Sequence, residues 1–279
     1  MKRLLCAVAA VFVCAVMLGG CTGSANPGMK NGDKDKVLGY QLEKPAIDEE
    51  IAVMHTSMGD ISIRFFPEVA PKAVENFKTL AKDGYYKDVT FHRVINEFMM
   101  QGGDPEGTGM GGESIYDTEE LKGFEDEFSD KLLNIRGSLA MANSGVNTNN
   151  SQFFINQAPA SVFRSIAANK EQQVTAKKLY KEYNATYVKD YPTYADFALR
   201  KMYIPPLDVP DAVWEFYKEN GGNITLDGAW RPTGGHTVFA QVFSGMNVVD
   251  AICAVPVNSN GKPDAPITIT GIDFVKYAG

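Results

Sequence analysis

Apolar and polar positions alternate along residues 51–55 and 61–65, on either side of Ser57-Met58-Gly59-Asp60. That pattern predicts a β-hairpin with Ile61, Ile63 and Phe65 on one face. The period then changes. From Pro71, residues Val74, Phe77, Leu80 and Ala81 fall on one helical stripe, and Asp83-Gly84 supplies a stop. Residues 91–95 alternate again, and Phe98 and Met99 precede Gln101, Gly102 and Gly103, as in a strand that runs into a tight loop. Further strands are predicted at 139–142, 153–155, 237–243 and 267–274, with a second short helix at 246–255. Many short strands with two helices argue for a mainly β fold closed into a barrel, the architecture that leaves no exposed edge.

One segment, at about residues 160–223, interrupts this rhythm. Ala176, Leu179, Tyr180, Tyr183 and Tyr187 share one helical face, as do Tyr194, Phe197, Ala198 and Met202. Val213, Phe216 and Tyr217 suggest a third helix, begun near Pro210 and ended at Gly221-Gly222. The segment holds seven of the chain's twelve tyrosines, together with Trp214, and its nine basic and eight acidic residues nearly cancel. Such aromatic faces are expected to bury against one another or against the barrel flank. Because the insert is bounded by the strand carrying Phe154 and by Leu226, it is expected to border the groove and shape access to it.

The first residues follow a different pattern. Lys2 and Arg3 precede an apolar run from Leu4 to Leu18, short for a membrane span and suited to a secretory leader. It ends in Leu18-Gly19-Gly20-Cys21, which resembles the lipobox of bacterial lipoproteins, so residues 1–20 are expected to be removed and Cys21 to carry diacylglycerol. Residues 21–48, rich in Gly, Asn, Asp, Lys and Pro, then read as a flexible tether, and residues 49–279 as one domain broken by the insert. Loss of Lys2 and Arg3 would take the formal net charge from -7 to -9, which disfavours nucleic acid and offers no polybasic help at a membrane. Of the four cysteines, Cys6 and Cys14 would leave with the leader and Cys21 would be acylated. Cys253 would remain alone, at helical spacing from Met246 and Val249, as a small buried hydrophobe.

Chemistry concentrates in two stretches. The first is Phe91-His92-Arg93-Val94-Ile95-Asn96-Glu97-Phe98-Met99-Met100-Gln101-Gly102-Gly103-Asp104. The second is Ser138-Leu139-Ala140-Met141-Ala142-Asn143-Ser144, leading to Ser151-Gln152-Phe153-Phe154-Ile155-Asn156. An arginine and an amide among large apolar side chains are unusual unless the polar groups have partners or work. Together these stretches closely resemble the signature of cyclophilins, the cyclosporin-binding peptidyl-prolyl isomerases. The resemblance covers residues 51–157 and 226–274, including Met58-Gly59-Asp60, Pro67-Glu68-Val69-Ala70-Pro71 and His236-Thr237-Val238-Phe239. It implies an eight-stranded antiparallel barrel capped by two helices, with no cofactor and proline-containing polypeptides as substrates.

The resemblance also assigns roles. Arg93 would donate to the prolyl nitrogen as its lone pair develops, which suits a permanently charged guanidinium with several donors. Phe98, Met99, Phe154 and Leu226 would hold the proline ring. Gln101 would bond substrate backbone and orient Arg93, and the backbone of Asn143 would grip the residue before proline. Ala142, Gln152 and His236 match further groove positions. Many cyclophilins carry Trp before the Leu-Asp-Gly that here is Leu226-Asp227-Gly228, but this chain has Thr225, with Trp230 displaced by four positions, which puts cyclosporin binding in doubt. Asn96-Glu97 replaces the common Pro-Gly.

Other motifs weigh less. Gly107, Gly109 and Gly112 satisfy G-x-G-x-x-G outside any βαβ unit, so a loop needing positive φ explains them better than a dinucleotide. His92, adjacent to Arg93 on a strand, should point to the other face as a satisfied core histidine, and His55 reads as structural or solvated. The three histidines have no metal-ligand spacing, so no metal is expected. The leading expectation is a monomeric, lipid-anchored isomerase assisting exported proteins. The competing one is a surface-anchored binding module or chaperone on the same scaffold, with incidental isomerisation.

Overall fold

The computed structural model describes residues 36–163 and 209–279. The leader, Cys21, most of the tether and the helices expected around 176–187 and 194–202 lie outside the described residues. Eight strands form one antiparallel sheet: β1 (Glu50–Thr56), β2 (Gly59–Phe65), β3 (Arg93–Ile95), β4 (Met99–Gly102), β5 (Ser138–Met141), β6 (Phe153–Asn156), β7 (Val238–Ser244) and β8 (Ile269–Lys276). Their order across the sheet is β3-β4-β6-β5-β7-β2-β1-β8. Helices named among the described residues are α1 (Pro71–Lys82), α2 (Asp211–Asn220) and α3 (Met246–Cys253).

The first hairpin forms as its alternation predicts. Thr56 pairs with Gly59 around a two-residue turn, and Thr56 Oγ1 both donates to the Gly59 carbonyl and accepts from the Met58 N–H. Ile61, Ile63 and Phe65 are buried in the core that α1 covers, touching β7 and β8. At its centre Phe77 of α1 stacks on Tyr86 at 5.0 Å and meets Phe153 edge-on at 5.3 Å, with Phe239 and Phe65 close by. Helix α3 covers β2, β3 and β4, and buries Val249, Ile252 and Cys253. Burial pushes the Cys253 thiol up to about 12, so it stays protonated and inert.

The closed barrel expected from the sequence is instead a curled sheet whose edge strands, β3 and β8, share no ladder. Strand β3 is only three residues long, and the chain entering it is irregular, with Asp88 at φ 63. The edges meet through an isolated Thr90–Thr268 bridge and through Phe91 N–H to Ile267 O and Ile269 N–H to Val89 O, both 2.9 Å. Farther along, Val94 N–H donates to Gly261 O at 2.7 Å, so a loop faces β3 where a strand would be needed for closure. A cavity of about 310 Å³ opens at this seam, lined by Phe91, His92, Pro105, Lys262 and Pro263 among others. His92 is buried as expected, but it is not satisfied: neither ring nitrogen has a hydrogen-bond partner among the described residues. Burial holds its pKa below the usual histidine range, which keeps the ring neutral.

The end of the stretch read as a tether is packed. Tyr40 meets Phe66 edge-on at 5.3 Å, and buried Gln41 is fully engaged. Its Nε2 donates to Leu133 O and Gln241 Oε1, while its Oε1 accepts the Leu133 N–H at 2.8 Å. This short strap reaches α2 as well, since Leu38 packs beside Trp214 and Tyr217. Helix α2 lies between Pro210 and Gly221 as predicted and buries Val213, Trp214 and Tyr217 against Phe163, Leu133, Ile135 and Ile224.

Truncating the central aromatic gives a direct check on this core. Phe77→Ala should lower the unfolding free energy by about 3–5 kcal/mol in a urea titration. A loss below about 1 kcal/mol would mean the ring is not the keystone its contacts suggest.

Candidate active site

Register places the candidate residues side by side. Arg93 lies opposite Gln101, Gln101 opposite Phe154, and Phe154 opposite Ala140. Directly paired residues on antiparallel strands share a face, so the row Arg93–Gln101–Phe154–Ala140 crosses β3, β4, β6 and β5 on one side of the sheet. One step along each strand, Val94, Met100, Phe153, Leu139 and Met141 belong to the main core. The neighbouring positions form a second apolar cluster in which Met99, Phe154 and Ala140 are buried, with Phe98, Ala142, Leu226 and Ile95 partly buried against them. All five apolar groove candidates therefore meet in one place.

The polar groups are arranged around that cluster. Arg93 Nη1 donates to Gln101 Oε1 at 3.5 Å and lies 4.0 Å from Met99 Sδ. Gln101 Nε2 donates to Gln152 Oε1 at 2.9 Å, and Gln152 Nε2 in turn donates to the carbonyls of Gly109 and Gly111. On the other flank, Asn143 Nδ2 donates to Gly235 O at 3.0 Å. His236 Nδ1 faces the Met141 carbonyl at 2.9 Å and must carry the proton, because a carbonyl only accepts. Its ring meets Phe154 edge-on at 5.1 Å, and burial lowers its pKa, so it stands as a neutral wall. The turn at Asn96-Glu97 brings the chain back into β4 with Glu97 at φ 60, a left-handed position that favours glycine. Trp230 packs in the cluster of Trp214 and Tyr217 rather than with Phe154.

The sequence of the cyclophilin-type peptidyl-prolyl cis-trans isomerase family matches residues 51–174 and 212–273, two thirds of the chain. This chain belongs to that family. The gap between the two matched segments, residues 175–211, falls within the stretch 160–223 that the sequence predicts as an insert. A Staphylococcus epidermidis protein named "Putative peptidyl-prolyl cis-trans isomerase" is 42% identical over 234 residues, 84% of this chain and 96% of the relative. A Staphylococcus aureus protein of the same name is 41% identical over the same length. Among solved structures, the crystal structure of a Cryptosporidium parvum cyclophilin-type isomerase aligns with a TM-score of 0.54 and 26% identity, covering 82% of this chain and 98% of that one. A structure of that protein in the presence of the dipeptide Ala-Pro aligns with a TM-score of 0.53. The protein is thus a cyclophilin-type isomerase, and its activity is rotation about X-Pro bonds.

One part of this cyclophilin had no signal in the sequence. Beside Leu226, the carboxylate of Asp227 is buried and bonded by Tyr217 Oη at 2.6 Å and by the Asn134 N–H and Nδ2. Leu226 O accepts from His236 N–H and Asn134 Nδ2, so Tyr217 of α2 is linked through Asp227 and Asn134 to the apolar cluster that holds Phe154 and Leu226. A tyrosine and an aspartate ten positions apart carry no motif; only packing of α2 brings them together.

Burial pushes the Asp227 carboxyl up to about 7, against the opposing pull of its hydrogen bonds from Tyr217 and Asn134. Its folded pKa lies above the unfolded value of about 3.9, so the native state binds the proton more tightly. The resulting stabilisation is complete below about pH 4 and is lost as pH rises towards neutrality. Melting wild type and Asp227→Asn in parallel should show wild type losing ground to the neutral variant across that window. A difference that stays flat with pH would show that the carboxyl does not titrate there.

Proposed function

We propose that this isomerase acts outside the cytoplasm on exported polypeptides, held to the membrane by lipid on Cys21, with Arg93 as its central catalytic residue. The observation that carries the catalytic assignment is the row in which Arg93 and Gln101 stand hydrogen-bonded beside the apolar cluster of Phe98, Met99, Ala142, Phe154 and Leu226. Rotation about X-Pro is opposed by a barrier of roughly 18–20 kcal/mol and takes tens to hundreds of seconds without help. No bond is made or broken. Shortening about 100 s to about 1 ms needs a factor of about 10⁵, or roughly 7 kcal/mol.

The twisted amide loses resonance, its nitrogen becomes pyramidal, and a lone pair appears that the ground state lacks. A guanidinium N–H aimed at that nitrogen therefore stabilises the transition state more than the substrate. Phe98, Met99, Phe154 and Leu226 clamp the proline ring, so the preceding carbonyl is the part that swings. Gln101 bonds substrate backbone and steadies Arg93, the backbone of Asn143 holds the residue before proline, and Ala142, Gln152 and His236 line the groove. The Ala-Pro dipeptide present with the Cryptosporidium protein carries the same X-Pro bond.

Extracytoplasmic attachment is supported by Lys2-Arg3, the apolar run and Leu18-Gly19-Gly20-Cys21. Among the described residues no helix is long and apolar enough to cross a membrane. The Tyr217–Asp227 link favours a role for the insert in setting the position of Leu226. With Thr225 in place of the usual Trp and Trp230 packed elsewhere, cyclosporin should bind weakly.

Two measurements test this reading. Arg93→Ala should cut kcat/KM on a proline peptide by about 10²–10³-fold while the protein stays folded; a folded variant with the wild-type rate would remove Arg93 from the mechanism. Cys21→Ser should move the protein from the membrane fraction to the soluble fraction, and unchanged membrane retention would discard the lipid anchor.

A further inference from the structure

The glycine-rich loop after β4 wraps around a carboxylate of its own chain. Asp104 is completely buried. Its Oδ1 accepts the Glu106 N–H at 2.9 Å, and its Oδ2 accepts the N–H groups of Thr108 at 2.9 Å, Gly109 at 2.6 Å and Gly111 at 3.3 Å, as well as the Thr108 hydroxyl. Gly107, Gly109 and Gly112 have φ of 62, 82 and 119, and a Cβ at Gly111 would lie 2.3 Å from Asp104 Oδ1. The G-x-G-x-x-G match is thus an anion-binding backbone nest whose anion is internal. Burial raises the pKa of that carboxyl, but the donors around it outweigh the effect and hold it below the usual range.

Turning these N–H groups inward fixes where the loop carbonyls point. Gly109 O and Gly111 O both accept from Gln152 Nε2, at 3.1 and 2.6 Å. With both amide hydrogens engaged, Gln152 offers Oε1 to Gln101 Nε2, and Gln101 is left presenting Oε1 to Arg93. Reversal of either amide would set an NH₂ group against another donor, in the case of Gln101 against a cation.

We propose that Asp104 is a positioning residue: by holding the glycine loop it sets the polarity of the Gln152–Gln101 relay and so the aim of the Arg93 guanidinium. The inference rests on the catalytic roles assigned to Arg93 and Gln101. The effect is transmitted because every link is a directed hydrogen bond between groups whose donor and acceptor ends differ. Asp104 itself touches neither Arg93 nor, on this reading, the substrate.

The test uses the full-length protein, with kcat and KM for a proline peptide taken from exchange kinetics. Asp104→Asn places an NH₂ group among the loop's own donors, and should lower kcat about tenfold, equivalent to about 1.4 kcal/mol in the barrier, with KM held within about twofold. Gly111→Ala, which crowds the carboxylate from outside the core, should do the same and serves if Asp104→Asn does not fold. Gln152→Ala should lose a similar factor, and combining it with either variant should cost nothing more. In the nitrogen NMR spectrum, the Gln152 side-chain amide protons should lose their protection in Asp104→Asn. Unchanged kcat in a folded loop variant, or losses that multiply in the double variant, would overturn the proposal and leave Asp104 a purely structural anchor. Wild-type activity in Arg93→Ala would instead bring down the assigned catalytic role, an outcome separable from the first because it is read without altering the loop.

Discussion

Side chains on a strand alternate between faces, and in this protein β4, β5 and β6 must build a different structure on each. Phe153, Met100, Leu139 and Met141 face the core under α1, whereas Phe154, Met99 and Ala140 face the groove. A slip of one residue in any of these ladders would exchange the two sets and place Arg93 or Gln101 where the core requires hydrocarbon. Register is held by both faces at once, so the precision of the groove follows from the packing of the core.

The second requirement is that polar groups beside an apolar cluster have partners. Gln101 and Gln152 meet it by chaining to each other and to loop carbonyls. On the far flank, Asn134 and Tyr217 meet it for Asp227, and Asn143 is tied to Gly235. These networks tie the flanking loops to the strands on both sides of the apolar cluster. His92 departs from the pattern: it is buried and neutral at the seam, where the sheet has a loop instead of a partner strand.

Outside the sheet, two additions brace the same region. The strap inserts Gln41 between Leu133 and Gln241, and α2 seats Tyr217 against the residue next to Leu226. Leu38 joins the two by packing in the cluster of α2. The strap and α2 thus converge on the side of the molecule where Leu226 lies.

The sequence by itself determined the helices α1, α2 and α3 and most of the strands, because each is written in local signals; β4 was not separated from the strand before it, and the groove residues came from the resemblance to cyclophilins. Period two or 3.6, a proline at a helix start, and contiguous motifs at 91–104 and 138–156 need no knowledge of distant contacts. Composition misjudged residues 38–42, since Gly, Lys and Asp nearby conceal the one tyrosine and one glutamine that dock. Closure was misjudged too, because whether β3 meets β8 depends on the loop around Gly261, not on the strands. Only the tertiary structure decided which polar atoms meet: Gln101 with Gln152, Gln41 with Leu133, Asn134 with Asp227, partners 51, 92 and 93 residues apart. Alternation and turn chemistry act over a few residues and can be read in the chain. A hydrogen bond between distant side chains leaves no periodic trace, and it exists only once the core has fixed the register that brings its two ends together.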